Sequence, residues 1–98
     1  MKIHKVFFNP TQKELEMILK ESSKVDFSGL DLRGADLSGT LLDECNLEDA
    51  DLSGANLDGA NLYKCNLKHA NLYKCNLAKC NVYKSKLASA ANLLDALY

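Results

Sequence analysis

Four cysteines, two histidines and a recurring set of acids and amides are the residues of this 98-residue chain with chemistry to offer. Cys45, Cys65, Cys75 and Cys80 lie at multiples of five, unlike the two-to-four spacing of paired zinc ligands. His69 has Asp49 twenty residues before it. Asp or Asn returns every five residues, at Asp26, Asp31, Asp36, Asn46, Asp51, Asn56 and onward. Such regularity reads as part of a repeat, with a role at a corner, better than as an acid–base pair. No nucleophile with a base and an orienting group can be assembled, and no glycine-rich phosphate loop appears. The expectation is a chain that is not an enzyme, with no cofactor, no metal and no small-molecule substrate.

The element that positions these residues follows from leucine. Leu32, Leu37, Leu42, Leu47, Leu52, Leu57, Leu62, Leu67, Leu72 and Leu77 are spaced by five, with Phe27 before them and Val82 and Leu87 after. A helix would spray this period over every face, and a straight strand would send alternate leucines to opposite sides. The chain must turn once per repeat. Two residues before most centres stands a small residue, among them Ala35, Ala50, Ala55, Ala60, Ala70 and all four cysteines. If that residue and the centre both point inward, four sides close a coil of about twenty residues, and coils stack at about 4.8 Å. The cysteines then act as small hydrophobes in the core. Gly29, Gly34, Gly39, Gly54 and Gly59 fall at the turns, two after a centre.

The runs ADLSG, ANLDG, ANLYK and CNLAK resemble the pentapeptide repeat family over residues 25–89. The resemblance implies an all-β solenoid, a right-handed quadrilateral β-helix, here of about three coils. TLLDE departs by placing Leu41 at the Asp/Asn position, and SKLAS by placing Lys86 there. The register then slips, with Ala91-Asn92-Leu93 one residue late.

The ends differ. Residues 1–24 read as an N-terminal capping segment with a helix over about 10–22. Asn9 is its expected cap, Pro10 its first position, and Gln12 is placed for a capping box. Leu15, Ile18 and Leu19 form its apolar stripe, and Ile3, Val6, Phe7 and Phe8 are expected to help seal that end. Residues 90–98 read as an irregular or short helical C-terminal end, as if a longer solenoid had been cut. Leu93, Leu94, Leu97 and Tyr98 make it apolar, which invites association. No stretch approaches a membrane span and MKIHKVFFNP lacks a signal's apolar region, so a cytoplasmic location without membrane contact is expected.

Net charge is only −1, but it is segregated. Residues 26–59 hold nine acids against Arg33, and residues 60–89 hold six lysines and no acid. The twenty-residue coil predicts stacked pairs Glu44–Lys64, Glu48–Lys68 and Asp49–His69. Tyr63-Lys64, Tyr73-Lys74 and Tyr83-Lys84 project outward, with Tyr63 and Tyr83 on one face and Tyr73 opposite. With the apolar C-terminal residues, these six form the candidate interaction surface. The expected function is a structural or protein-binding module of unassigned role. Its partner is a protein, either a second copy or another pentapeptide repeat chain stacked at the C-terminal end, in preference to nucleic acid. The alternative implied by the resemblance is a DNA mimic that binds a type II topoisomerase. That role wants an acidic surface along the whole rod.

Overall fold

The computed structural model describes residues 10–21, 24–90 and 92–97. One helix, α1 (Gln12–Glu21), precedes a coil that turns every five residues. The chain pairs with itself in parallel, one residue per side. The four columns are Asp26–Asn46–Asn66, Asp31–Asp51–Asn71–Asn92, Asp36–Asn56–Asn76–Leu97 and Leu41–Asn61–Asn81. Each rung has two bonds: Leu37 N–H donates to the Asn56 carbonyl (2.8 Å), and Asn56 N–H donates back to the Ala35 carbonyl (2.9 Å). The described chain measures 30 × 20 × 20 Å.

Each corner is a β-turn that starts at the inward centre. Ala60 N–H donates to the Leu57 carbonyl (2.9 Å), and Gly59, the third residue of this turn, has φ +70°. A positive φ at that position alone defines a type II turn, which favours glycine. The same conformation recurs where the corner residue is Glu44, Asp49, Lys64, His69, Lys74, Lys79, Lys84 or Asp95. Sequence had marked only the glycines.

The core is a single cluster. The centres from Phe27 to Leu77 are buried, as are the small residues Ala50, Ala55, Ala60, Ala70, Cys45, Cys65 and Cys75. Val25 and Leu30 take the small positions of the first coil, and Leu15 and Ile18 of α1 join the same cluster. Toward the other edge burial weakens: Cys80, Val82 and Leu87 are only half-buried.

The helix start differs from expectation. Glu14 N–H donates to Thr11 Oγ1 (3.2 Å), and Thr11 N–H donates to Glu14 Oε1 (2.8 Å). This is a capping box centred on Thr11, which sets Gln12 as the first helical residue. Asn9, the expected cap, lies outside the described residues, as do Ile3, Val6, Phe7 and Phe8.

Beyond residue 89 the chain resumes the coil. A 3₁₀ turn at Leu87–Ser89 absorbs one extra residue. Elsewhere a corner N–H bonds a carbonyl nineteen residues on, as from Asp49 to Lys68, whereas His69 reaches Ser89. Pairing then continues twenty-one apart, Asn71 with Asn92 and Asn76 with Leu97. The late Asn92-Leu93 repeat is therefore a true side of the coil.

Candidate interaction surface

The recurring Asp and Asn residues prove to be corner struts. Each side-chain oxygen accepts from the N–H two residues on: Asp26 from Ser28, Asn56 from Asp58, Asn61 from Tyr63, Asn92 from Leu94. That N–H points out of the ladder at the turn, and the Asx bond satisfies it. Asparagines also bond up a column, Asn66 Nδ2 to Asn46 Oδ1 (3.2 Å) and Asn81 Nδ2 to Asn61 Oδ1 (3.3 Å). Leu41 alone in its column can accept nothing, and 73% of it is exposed. It borders a groove of about 250 Å³ between α1 and the coil wall, with Gln12, Leu15, Leu19, Asp36 and Leu37. Sequence marked Leu41 as an irregular repeat but did not place it beside α1.

The tyrosine–lysine repeats form three local pairs. Each lysine ammonium lies over the ring of its own neighbour: Lys64 on Tyr63 and Lys74 on Tyr73 at 5.4 Å, Lys84 on Tyr83 at 5.6 Å. Tyr63 and Tyr83 stack between coils, with centroids 6.0 Å apart and planes at 18°. Tyr73 belongs to a different side and has no such partner among the described residues.

The expected charge rungs need correction. Asp49 meets His69 Nδ1 at 3.6 Å, but Glu44 pairs downward with Lys24 (3.5 Å), and Glu48 accepts from Asn66 Nδ2 (3.3 Å). Lys64 is drawn over Tyr63 instead of toward Glu44. Arg33 forms a bidentate pair with Asp31 (2.8 and 2.9 Å), and this hydrogen bonding holds the Asp31 carboxyl below its usual range. The Ser38 hydroxyl lowers Asp36 in the same way. Both are exposed pairs worth little stability. Among the described residues no ion pair links Lys64, Lys68, Lys74, Lys79, Lys84 or Lys86 to a carboxylate.

Three of the four thiols, Cys45, Cys65 and Cys75, are buried in the core. Burial raises the pKa of Cys45, raises Cys65 further, and pushes Cys75 up to about 12. Cys80, nearer the edge, donates from Sγ to the Leu57 carbonyl (2.8 Å). Among the described residues no His/Cys/Asp/Glu cluster could hold a metal ion. No described helix is long and apolar enough to cross a membrane.

At the far edge Leu94 is 63% exposed, Leu97 58% and Tyr83 65%, while Leu93 is half-buried against the core. Tyr98 lies outside the described residues. The last coil thus carries Tyr83 and Lys84 on one side, Leu94 on another, above Tyr73-Lys74, and Leu97 on a third. Tyr63-Lys64 lies one coil inward, below Tyr83-Lys84.

The family model for pentapeptide repeats matches residues 23–59 and 50–88, with 8 copies. A pentapeptide repeat protein of the Arabidopsis thaliana thylakoid lumen is 33% identical, with TM-score 0.63 over 64% of this chain and 43% of its own. HetL, a pentapeptide repeat protein involved in heterocyst differentiation regulation in the cyanobacterium Nostoc, is 32% identical over 76% of this chain and 37% of its own, with TM-score 0.37. A pentapeptide repeat protein from the cyanobacterium Cyanothece is 27% identical over 78% and 62%, with TM-score 0.32. The chain spans less than two-thirds of the length of each. No curated protein matches it significantly. With two-thirds of its residues matched by the family model, the chain belongs to the pentapeptide repeat family, whose members are right-handed quadrilateral β-helices that serve generally as structural and protein-interaction modules.

Proposed function

We propose that this chain is a non-enzymatic protein-binding module: a β-helix of about three coils, capped at its start by α1, that engages a protein partner at the edge of its last coil. The observation that carries this reading is the asymmetry of the two edges. Gln12, Leu15 and Ile18 cover the first coil, whereas Leu94, Leu97 and Tyr83 stand exposed beside lysines that have no carboxylate partner among the described residues. An exposed edge of this kind carries unpaired ladder groups and apolar side chains, which together favour association with another β-structure. A second copy or another pentapeptide repeat chain has the matching width. A DNA mimic of the topoisomerase-binding kind would need acids along the whole rod, and the lysines of residues 60–89 oppose it. A reducing compartment such as the cytoplasm suits four unpaired thiols.

Light scattering over a range of concentrations, joined to co-purification with repeat-containing chains, tests the reading. Association that disappears in Leu94→Lys/Leu97→Lys supports it. A wild-type chain that stays monomeric at millimolar concentration and captures no repeat protein ends it.

A further inference from the structure

Each rung of the ladder has a direction. The lower coil donates a centre N–H to the Asp/Asn carbonyl above it, and the Asp/Asn N–H above donates down to the small residue's carbonyl. The lower edge of the stack therefore presents Asp/Asn N–H and C=O groups, and its upper edge presents centre N–H groups such as that of Val82. At Asp36, on the lower edge, both groups are taken by one side chain. Gln12 Nε2 donates to the Asp36 carbonyl at 2.7 Å, and Asp36 N–H donates to Gln12 Oε1 at 2.9 Å. The Gln12 amide stands where a carbonyl and an N–H of a further coil would lie.

The two edges also match in charge. The acids cluster from Asp26 to Asp58, and the lysines from Lys64 to Lys86. Both edges share one cross-section and one repeat. The hold of α1 on its edge is narrow. Besides the two Gln12 bonds, Leu15 and Ile18 are its buried side chains, Leu19 packs half-buried against the core, Met17 is exposed, and a groove of about 250 Å³ lies open beside Leu41. A ten-residue helix has little stability of its own once detached.

We propose that α1 is a displaceable block over a docking edge, and that the occupant which fits this edge is the last coil of a second copy of this chain, stacked head to tail. The proposal rests on the reading that the last coil is an association edge. In the closed chain Gln12 imitates that coil at the lower edge, whereas among the described residues no side chain caps the upper edge in this way. With α1 displaced, basic last coils meet acidic first coils in the same parallel register that stacks coils within one chain. Such a contact is heterologous and does not close on itself, so it continues into a filament. The helix thereby keeps a self-complementary solenoid from polymerising.

Sedimentation of the 98-residue chain tests this. Gln12→Ala, and more strongly Gln12→Ala/Leu15→Ser/Ile18→Ser, should give assemblies that grow with protein concentration and shrink in about 0.5 M salt, where surface charges are screened. Far-UV circular dichroism reports whether the coil is retained. Val82→Pro removes an N–H that makes no bond among the described residues, and adding it should return either variant to monomer. A misfolded aggregate would ignore that change. Wild-type chains have a free last coil and a blocked first coil, so in excess they should shorten Gln12→Ala assemblies, and Val82→Pro chains should not. A folded, released variant that stays monomeric, or assemblies indifferent to Val82→Pro, would overturn the proposal. Open-ended growth of the wild type would also overturn it, removing α1 as the block while leaving the last coil as an association edge.

Discussion

At the scale of single residues, the corner sets the strictest demand. Gly54 has φ +69° and open space where a Cβ would stand, so a substitution there feels the backbone alone. An alanine in the left-handed region costs roughly 1–2 kcal/mol, offset in part by a less flexible unfolded chain. Gly54→Ala should therefore destabilise by about 1 kcal/mol, Gly54→Asn by less and Gly54→Val by more, read from urea midpoints. Equal effects of all three would show that the corner is not what constrains this site. The thiols offer a second test. Cys45, Cys65 and Cys75 are held protonated by burial, with pKa values raised above 9.0. Unfolded thiols ionise first, so the folded state is favoured below pH 9 and loses that advantage as pH rises toward 12. Melting temperature should fall above pH 9, and more steeply than in a Cys65→Ala/Cys75→Ala variant. A thiol reagent should reach Cys80 before the other three.

At the scale of the element, one repeat explains another. Asn61 secures its corner by accepting from Tyr63 N–H, and the same position in the repeat below holds Leu41, which leaves the Asp43 N–H without that bond. Leu41→Asn should restore it and raise stability by about 0.5–1.5 kcal/mol, the net worth of one hydrogen bond; an unchanged melt would mean that the Asx bond adds nothing there. Sequence made this strut legible as a periodic Asp/Asn but assigned no donor to it, because the donor is a backbone group two residues on. It also made the inward residues legible, since a period of five admits no straight element. What it hid were contacts fixed by neighbours far along the chain. Gln12 reads as a capping-box residue, yet it bonds Asp36, twenty-four positions away. Lys64 reads as the rung above Glu44, yet the adjacent Tyr63 ring claims it. The slip before Asn92 was visible as a broken register. Its resolution by the 3₁₀ turn at Leu87–Ser89 depended on the coil beneath being able to reach Ser89 from His69.

At the scale of the whole molecule, stability should vary along the solenoid axis, because each coil touches only its neighbours. Leu57 lies between Leu37 and Leu77 in one column of centres and is fully buried. An aspartate there would be an unpaired charge with coils on both sides, a burden of several kcal/mol. The coil has no independent unit that could open around it, since every rung through Asn56 and Asn76 joins it to the next. Leu87 is also a centre, but it is only half-buried beside the 3₁₀ turn, and water reaches that edge. The same substitution at the two positions should therefore have unlike outcomes. Leu57→Asp should lose the cooperative melt altogether at 25 °C. Leu87→Asp should keep it within a few degrees, with faster amide exchange confined to residues 82–97, as local opening near the edge predicts. Amide exchange and circular dichroism on both variants decide the matter. If Leu57→Asp melts like wild type, the inward assignment of the centres fails. If Leu87→Asp unfolds the entire chain, the coils form one indivisible unit, and the last coil is as essential to the fold as the middle.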